Sequence, residues 1–316
     1  MMRRISAISL RLGLFGLVVV APAHVWAQAT ATKAPDAATK VELRHDYFDS
    51  NGVKIHYATA GEGEPVVLIH GFSANLQMNW QSPKVIDELA EDYQVIAIDN
   101  RGHGRSDKPH EPEKYGLEMV EDIVRLLDHL KLDKAHVVGY SMGGFITSRL
   151  LATHADRLLS ATLGGAGWSR EGDSRMEFLK ELAESLEAGK GITPLILRLV
   201  PEGQPKPSEE ELQTMNQLVM ALNDPLALAA VIRGMKGLTV TEQELRANKV
   251  PTLALIGALD PLKAGVDEMQ KVMGKLDVVV IDDADHMSAF RSPVFVESLK
   301  AFLAEHSREP AAATAN

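Results

Sequence analysis

Gly139-Tyr140-Ser141-Met142-Gly143 follows the apolar run His136-Val137-Val138 and opens a helical pattern through Phe145, Ile146, Leu150 and Leu151. A Gly-x-Ser-x-Gly pentapeptide is a weak signal by itself, and the strand before it and helix after it are what give it meaning. A serine at a sharp strand-to-helix turn is held out above the sheet edge, and its glycines admit backbone that a β-carbon would obstruct. Such a turn strains the serine, which suits a reactive group better than a stabilising one. A hydroxyl is a poor nucleophile at neutral pH, so Ser141 requires a base, and the base an orienting acid.

The chain order for such an elbow is serine, acid, histidine. Beyond Ser141 stand His154, His286 and His306. His154 lies one helical pattern past the elbow, and His306 is close to the C-terminal tail. His286 follows the run Val278–Ile281 through the loop Asp282-Asp283-Ala284-Asp285, which brings it to the same edge as Ser141 if the strands are parallel. Asp260 ends the run Thr252–Ile256 and is the expected acid. Asp282, Asp283 and Asp285 precede His286 too closely to brace its far ring nitrogen easily. The loop His70-Gly71-Phe72 follows Val66–Ile69, and the backbone N–H groups of Phe72 and Met142 are the expected oxyanion donors.

These residues need a sheet to position them. Val41–Asp49 and Val53–Ala58 flank the turn signal Ser50-Asn51-Gly52 and read as a hairpin. Val66–Ile69, Val95–Ile98, His136–Val138, Leu163 with its neighbours, Thr252–Ile256 and Val278–Ile281 read as strands covered on both faces. Met119, Ile123, Leu126, Leu127 and Leu130 recur at helical spacing. Strand–helix alternation predicts a mostly parallel sheet with helices on both sides. The rhythm breaks at residues 168–238, which hold helical patterns separated by Gly189, Gly191, Pro194, Pro201, Pro205 and Pro207. That segment is expected to form a helical cap between core segments 41–167 and 239–306. Trp168, Met176 and Met220 are its candidate pocket residues, with flexible methionines suited to varied apolar shapes. The cap cations Arg170, Arg175, Lys180, Arg198 and Arg233 are scattered and read as a solvated face.

Composition sets the outer bounds. With 45% hydrophobic and 24% charged residues over 316, the chain is neither disordered nor a polytopic membrane protein. A net charge of −10 argues against nucleic acid as a partner. The absence of cysteine excludes disulfides, a thiolate nucleophile and a cysteine zinc site. No acidic loop, histidine pair or phosphate-cradling glycine loop signals a metal or nucleotide, so no cofactor is expected. Residues 1–27 read as a secretory signal: Arg3 and Arg4, the apolar stretch Leu12–Ala21, and Ala27 before the cut. Ten apolar residues are too few to span a bilayer, so no stable membrane insertion follows cleavage. Removing residues 1–27 takes three arginines and no acids, moving the charge from −10 to −13. A periplasmic or secreted location is expected, with residues 28–40 a flexible leader and 307–316 a loose tail.

Taken in order, His70-Gly71-Phe72, Asp99-Asn100-Arg101-Gly102-His103-Gly104-Arg105-Ser106, the elbow with its extra Gly144, Asp260 and His286 resemble the α/β-hydrolase superfamily over nearly all of residues 45–305. The resemblance implies an eight-stranded, mostly parallel sheet with a small helical cap after the sixth strand. Epoxide hydrolases and haloalkane dehalogenases look similar here but carry Asp at the elbow, and Ser141 departs from them. The resemblance is to Ser-type esterases, cofactor-free haloperoxidase-like enzymes and carbon–carbon hydrolases. It implies a small-molecule carboxylic ester as substrate. The alternatives are carbon–carbon cleavage of a diketone-like acid, or a ligand receptor on a retained hydrolase pocket. The Asp99–Ser106 segment reads as a tight polar turn closing the fourth strand.

Overall fold

The computed structural model describes residues 41–170 and 175–307, with the side chains of 175 and 176 left undescribed. The expected signal (1–27), leader (28–40) and nearly all of the tail lie outside the described residues. Eight strands form one sheet: β1 (Arg44–Asp49), β2 (Lys54–Ala60), β3 (Glu64–Ile69), β4 (Tyr93–Ile98), β5 (Ala135–Tyr140), β6 (Leu158–Gly164), β7 (Thr252–Gly257) and β8 (Leu276–Ile281). Their order is β1-β2-β4-β3-β5-β6-β7-β8. The β1–β2 and β2–β4 pairs are antiparallel and the others parallel. The hairpin turns on Asn51 and Gly52, both at positive φ, as a two-residue turn matched to strand twist requires.

The helices are α1 (Val85–Leu89), α2 (Leu117–His129), α3 (Met142–Thr153), α4 (Arg175–Glu187), α5 (Thr193–Arg198), α6 (Glu209–Leu222), α7 (Pro225–Gly234), α8 (Glu242–Ala247), α9 (Lys263–Gln270) and α10 (Pro293–His306). Continuous apolar strands arise because successive side chains meet different layers. Val67 and Ile69 of β3 join Met119, Ile123, Leu126 and Ile146 on the α2–α3 side. Val66 and Leu68 join Trp80, Ile86, Phe295 and Leu299 on the α1–α10 side. The run in β8 departs from this: it is the edge strand of the described sheet, and Val280 is exposed.

Helices α4 to α7 form the insertion between β6 and β7. Pro194 and Pro225 sit in the first turns of α5 and α7, where a missing N–H costs nothing, so these prolines start helices as well as separating them. Leu182, Ala183, Leu186, Leu228, Ala229 and Ile232 give the insertion its own core. Its two ends are joined at the stem, where Trp168 Nε1–H donates to Val240 O at 2.7 Å and Val240 N–H donates to Ser169 O. Among the described residues, no single helix is long and apolar enough to cross a membrane.

Beneath the sheet edge lies a buried polar frame. Arg101 donates to both carboxylate oxygens of Asp122 on α2, at 2.7 and 2.6 Å. Asp99 accepts from Leu76 N–H, Arg105 N–H and the His56 ring. Burial would raise its pKa, but the His56 bond, the nearby His70 and these amides together hold it down at about 2. His70 Nε2 accepts from Asn100 N–H, so Nδ1 carries the proton and donates to Gly71 O. Burial depresses the pKa of His70, and burial beside His70 depresses that of His103 to about 3.

Both histidines are therefore neutral in the fold. The stability they contribute is full above about pH 6.5 and falls as pH drops toward their depressed folded values. Asp99 adds stability above about pH 4, which is lost as pH falls through its folded value. The urea midpoint is expected to decline progressively from about pH 6.5 downward. His103→Asn, measured over the same range, should flatten the upper part of that decline.

Candidate active site

Ser141 is the residue between β5 and α3, at φ 54° and ψ −115°. Two close approaches enforce this turn. A β-carbon at Gly143 would lie 2.1 Å from Ile69 O, and one at Gly139 would lie 2.0 Å from Gly143 O. Ser141 N–H donates to Gly164 O on β6 at 2.8 Å, leaving the side chain to project over the edge. Parallel β7 and β8 end at the same edge and deliver the other two groups. Ser141 Oγ lies 3.0 Å from His286 Nε2, and His286 Nδ1 lies 2.8 Å from Asp260 Oδ2. With Nδ1–H donating to the carboxylate, Nε2 is left to accept the serine proton. His286 and Asp260 are both buried, and Asp260 Oδ1 is held by Leu262 N–H.

None of the three competing aspartates bonds the His286 ring. Asp282 and Asp283 are exposed. Asp285 Oδ1 accepts from Met287 N–H, Ser288 N–H and Ser288 Oγ, closing the loop that carries His286. Met142 N–H opens α3, where a helix leaves its first donors unused. Gly71 lies against Ser141: a β-carbon there would be 3.2 Å from Ser141 Cβ. Its N–H is occupied by Asn79 Oδ1 at 2.9 Å. Among the described residues, the N–H groups of Phe72 and Met142 donate to no acceptor.

Two contributors escaped the sequence reading. Tyr140 Oη–H donates to His286 O at 2.6 Å and its ring packs against the imidazole, so the residue before the serine fixes the histidine loop. Burial, with the charges of Asp260 and Asp285, keeps that phenol well above its ordinary pKa and thus a donor. The signal was an aromatic hydroxyl in the elbow itself. Asn79 is buried in a π-helical turn (Gln77–Gln81), a backbone form that sequence periodicity does not announce.

A cavity of about 670 Å³ opens over Ser141, His286, Phe72 and Met142. Among the cap's apolar residues, Phe178, Leu179, Met215, Leu218, Val219 and Met235 line it. The candidate pocket residues fare differently. Trp168 does not line it, because its ring is buried among Leu163, Val240 and Ile256 and its N–H staples the cap stem. Met220 is absent from the walls as well, and packs on the cap's own core. The side chain of Met176 lies outside the described residues. Of the cap cations, Lys180 pairs with Glu184 and Arg233 with Glu187 on the surface, whereas Arg170 and Arg198 stand on the cavity wall. Arg175 likewise falls outside the described side chains. Among the described residues, no group of three or more His, Asp or Glu is arranged to hold a metal.

Residues 64–189 match the family model for the alpha/beta hydrolase fold. The chain belongs to the α/β-hydrolase superfamily. It is 35% identical over 156 residues to the dihydrolipoyllysine-residue acetyltransferase component of the acetoin cleaving system of Cupriavidus necator, covering 46% of this chain and 41% of that one. It is 28% identical to 3-oxoadipate enol-lactonase 2 of Acinetobacter baylyi, covering 78% and 92%. A thermophilic esterase from Thermogutta terrifontis shares the fold with a TM-score of 0.70 at 24% identity, covering 84% of this chain and 100% of that one. Three of the curated relatives are matched over only 35–41% of their length.

Asn79→Ala removes the acceptor that orients the loop before Phe72. Steady-state kinetics on any substrate the site turns over should show kcat lowered by about tenfold to a hundredfold and KM changed little.

Proposed function

We propose that the protein is a serine hydrolase of small or medium carboxylic esters with an apolar part. The observation that carries this reading is the unbroken chain Ser141 Oγ–His286 Nε2, His286 Nδ1–Asp260 Oδ2 at 3.0 and 2.8 Å, set at the floor of an apolar cavity. Ser141 Oγ attacks the ester carbonyl while His286 takes its proton. The N–H groups of Phe72 and Met142 hold the oxyanion, and Asp260 steadies the imidazolium. His286 then gives the proton to the departing alcohol, leaving an acyl-serine that water opens by the same route. The relative matched over most of its length is named an enol-lactonase, and a lactone is a cyclic ester.

A second reading, carbon–carbon hydrolysis of a diketone-like acid, draws on Arg198 at the cavity wall, where a cation could grip a carboxylate. The signal-like residues 1–27 support export to the periplasm or medium. N-terminal sequencing of the secreted protein is expected to begin at Gln28, and an uncleaved chain in the cytoplasm would refute export.

Short or medium 4-nitrophenyl esters are expected to be hydrolysed without added cofactor and regardless of chelators. An organophosphonate should label Ser141 stoichiometrically. Ser141→Ala should abolish turnover with the thermal midpoint unchanged or raised, and Asp260→Asn should lower the rate by about 10⁴. Rapid cleavage of a vinylogous diketo acid with no ester turnover would make the second reading the better one.

A further inference from the structure

On a chain of net charge −10, the described wall of the cavity over Ser141 carries the opposite sign. Among the described residues, the charged groups along its walls are Arg170, Arg198, Lys236 and Arg291 against one acid, Asp285. Asp285 is engaged by its own loop, and Arg170 pairs with Glu268 at 2.9 Å. Among the described residues, Arg198, Lys236 and Arg291 have no acidic partner within ion-pair distance. All three are exposed, so they stand at the opening and not in the depth.

They arrive from three separate elements: the last turn of α5, the 3₁₀ turn Met235–Leu238 after α7, and the turn Ala289–Arg291 following His286. Two are held in place by cation–π contacts. The Arg198 guanidinium lies 4.7 Å from the Phe178 ring centre and that of Arg291 lies 5.1 Å from Phe290, and both rings line the cavity. Deeper walls have the reverse character, with Leu182, Ile192, Leu195 and Ile232 facing the space. Cations left unpaired around an apolar opening serve a ligand that is apolar at one end and anionic at the other.

We propose that the cavity binds anionic amphiphiles, with an alkyl or aryl part in the apolar depth and a carboxylate, sulfate or phosphate group against Arg198, Lys236 and Arg291. Such a compound becomes a substrate, on the ester-hydrolase reading above, when an ester carbonyl reaches Ser141. The recognition itself depends only on the walls. Exposed charge pairs are individually weak and are screened by salt, so three of them give a selectivity of about tenfold to a hundredfold at low ionic strength.

Calorimetry with octyl sulfate and octyltrimethylammonium, both below their micelle concentrations, isolates the headgroup charge at constant tail. At about 20 mM salt, octyl sulfate is expected to bind at least about tenfold more tightly, and the preference should fall below about threefold at about 0.5 M salt. The combined variant R198Q/K236Q/R291Q should lose the preference at low salt, and each single variant should lose part of it. Because these side chains are exposed, their loss is not expected to disturb folding, which circular dichroism checks. With esters, a carboxylate beside the nitro group of 4-nitrophenyl octanoate should lower KM by about tenfold relative to the neutral ester. Equal binding of the two octyl compounds, or a preference that survives in the combined variant, overturns the proposal. A sulfate preference in a protein that turns over no ester sustains it while removing the ester reading.

Discussion

How closely the start of α3 packs over β3 and β5 governs everything at this sheet edge. The Ile69 carbonyl occupies the space a side chain at 143 would need, and the Gly143 carbonyl the space of one at 139. With the helix drawn in this far, the connecting residue has no relaxed conformation left, and Ser141 takes φ 54°. Its N–H is spent on Gly164 O, so the strain is held by the sheet itself. The same approach brings the first free N–H of α3 beside the serine and sets the loop after β3 within reach. One packing constraint thus produces both the projecting hydroxyl and the undirected N–H groups beside it.

The loop carrying Phe72 has little structure of its own and borrows its rigidity from a buried polar frame. Gly71 is gripped from both sides: its N–H by Asn79, its carbonyl by His70. His70 is in turn tied to Asn100, and the turn that holds Asn100 is anchored through Arg101 to Asp122 on α2. Buried groups of this kind are costly when left unmatched and rigid when matched. Keeping His70 neutral is part of that matching, since Nε2 must accept from Asn100. The Asp99–Ser106 segment, rich in groups that elsewhere do chemistry, therefore works as the brace of the loop that carries Phe72.

The cap contributes in two layers. Its inner residues pack on one another, as Leu182 and Leu228 do, and its stem is stapled by Trp168. What remains facing the sheet edge is apolar in the depth and cationic at the rim. An apolar enclosure strengthens the electrostatics of the site below by thinning the water around it, while the rim acts on ligands before they enter.

Much of this was legible in the residues. Period-2 burial on both faces explains why β3 to β7 read as continuous apolar runs, and a serine flanked by glycines between such a run and a helix has few structural meanings. Asp260 and His286 follow strand ends, and parallel strands deliver their C-terminal ends to one edge, so their meeting was implied by topology. The edge position of β8, the stapling role of Trp168, the acceptor role of Asn79 and the cationic rim were not legible. Most of these depend on residues far apart in the chain, such as Trp168 with Val240 or Arg198 with Arg291, whereas Asn79 reaches the nearby Gly71 through a π-helical turn that leaves no periodic pattern. Local pattern records whether a side chain prefers burial, and it carries no record of which distant neighbour buries it. A tryptophan in an apolar cap looks the same whether it faces a ligand or a backbone carbonyl, and only the folded chain, by bringing Val240 to its ring nitrogen, decides between them.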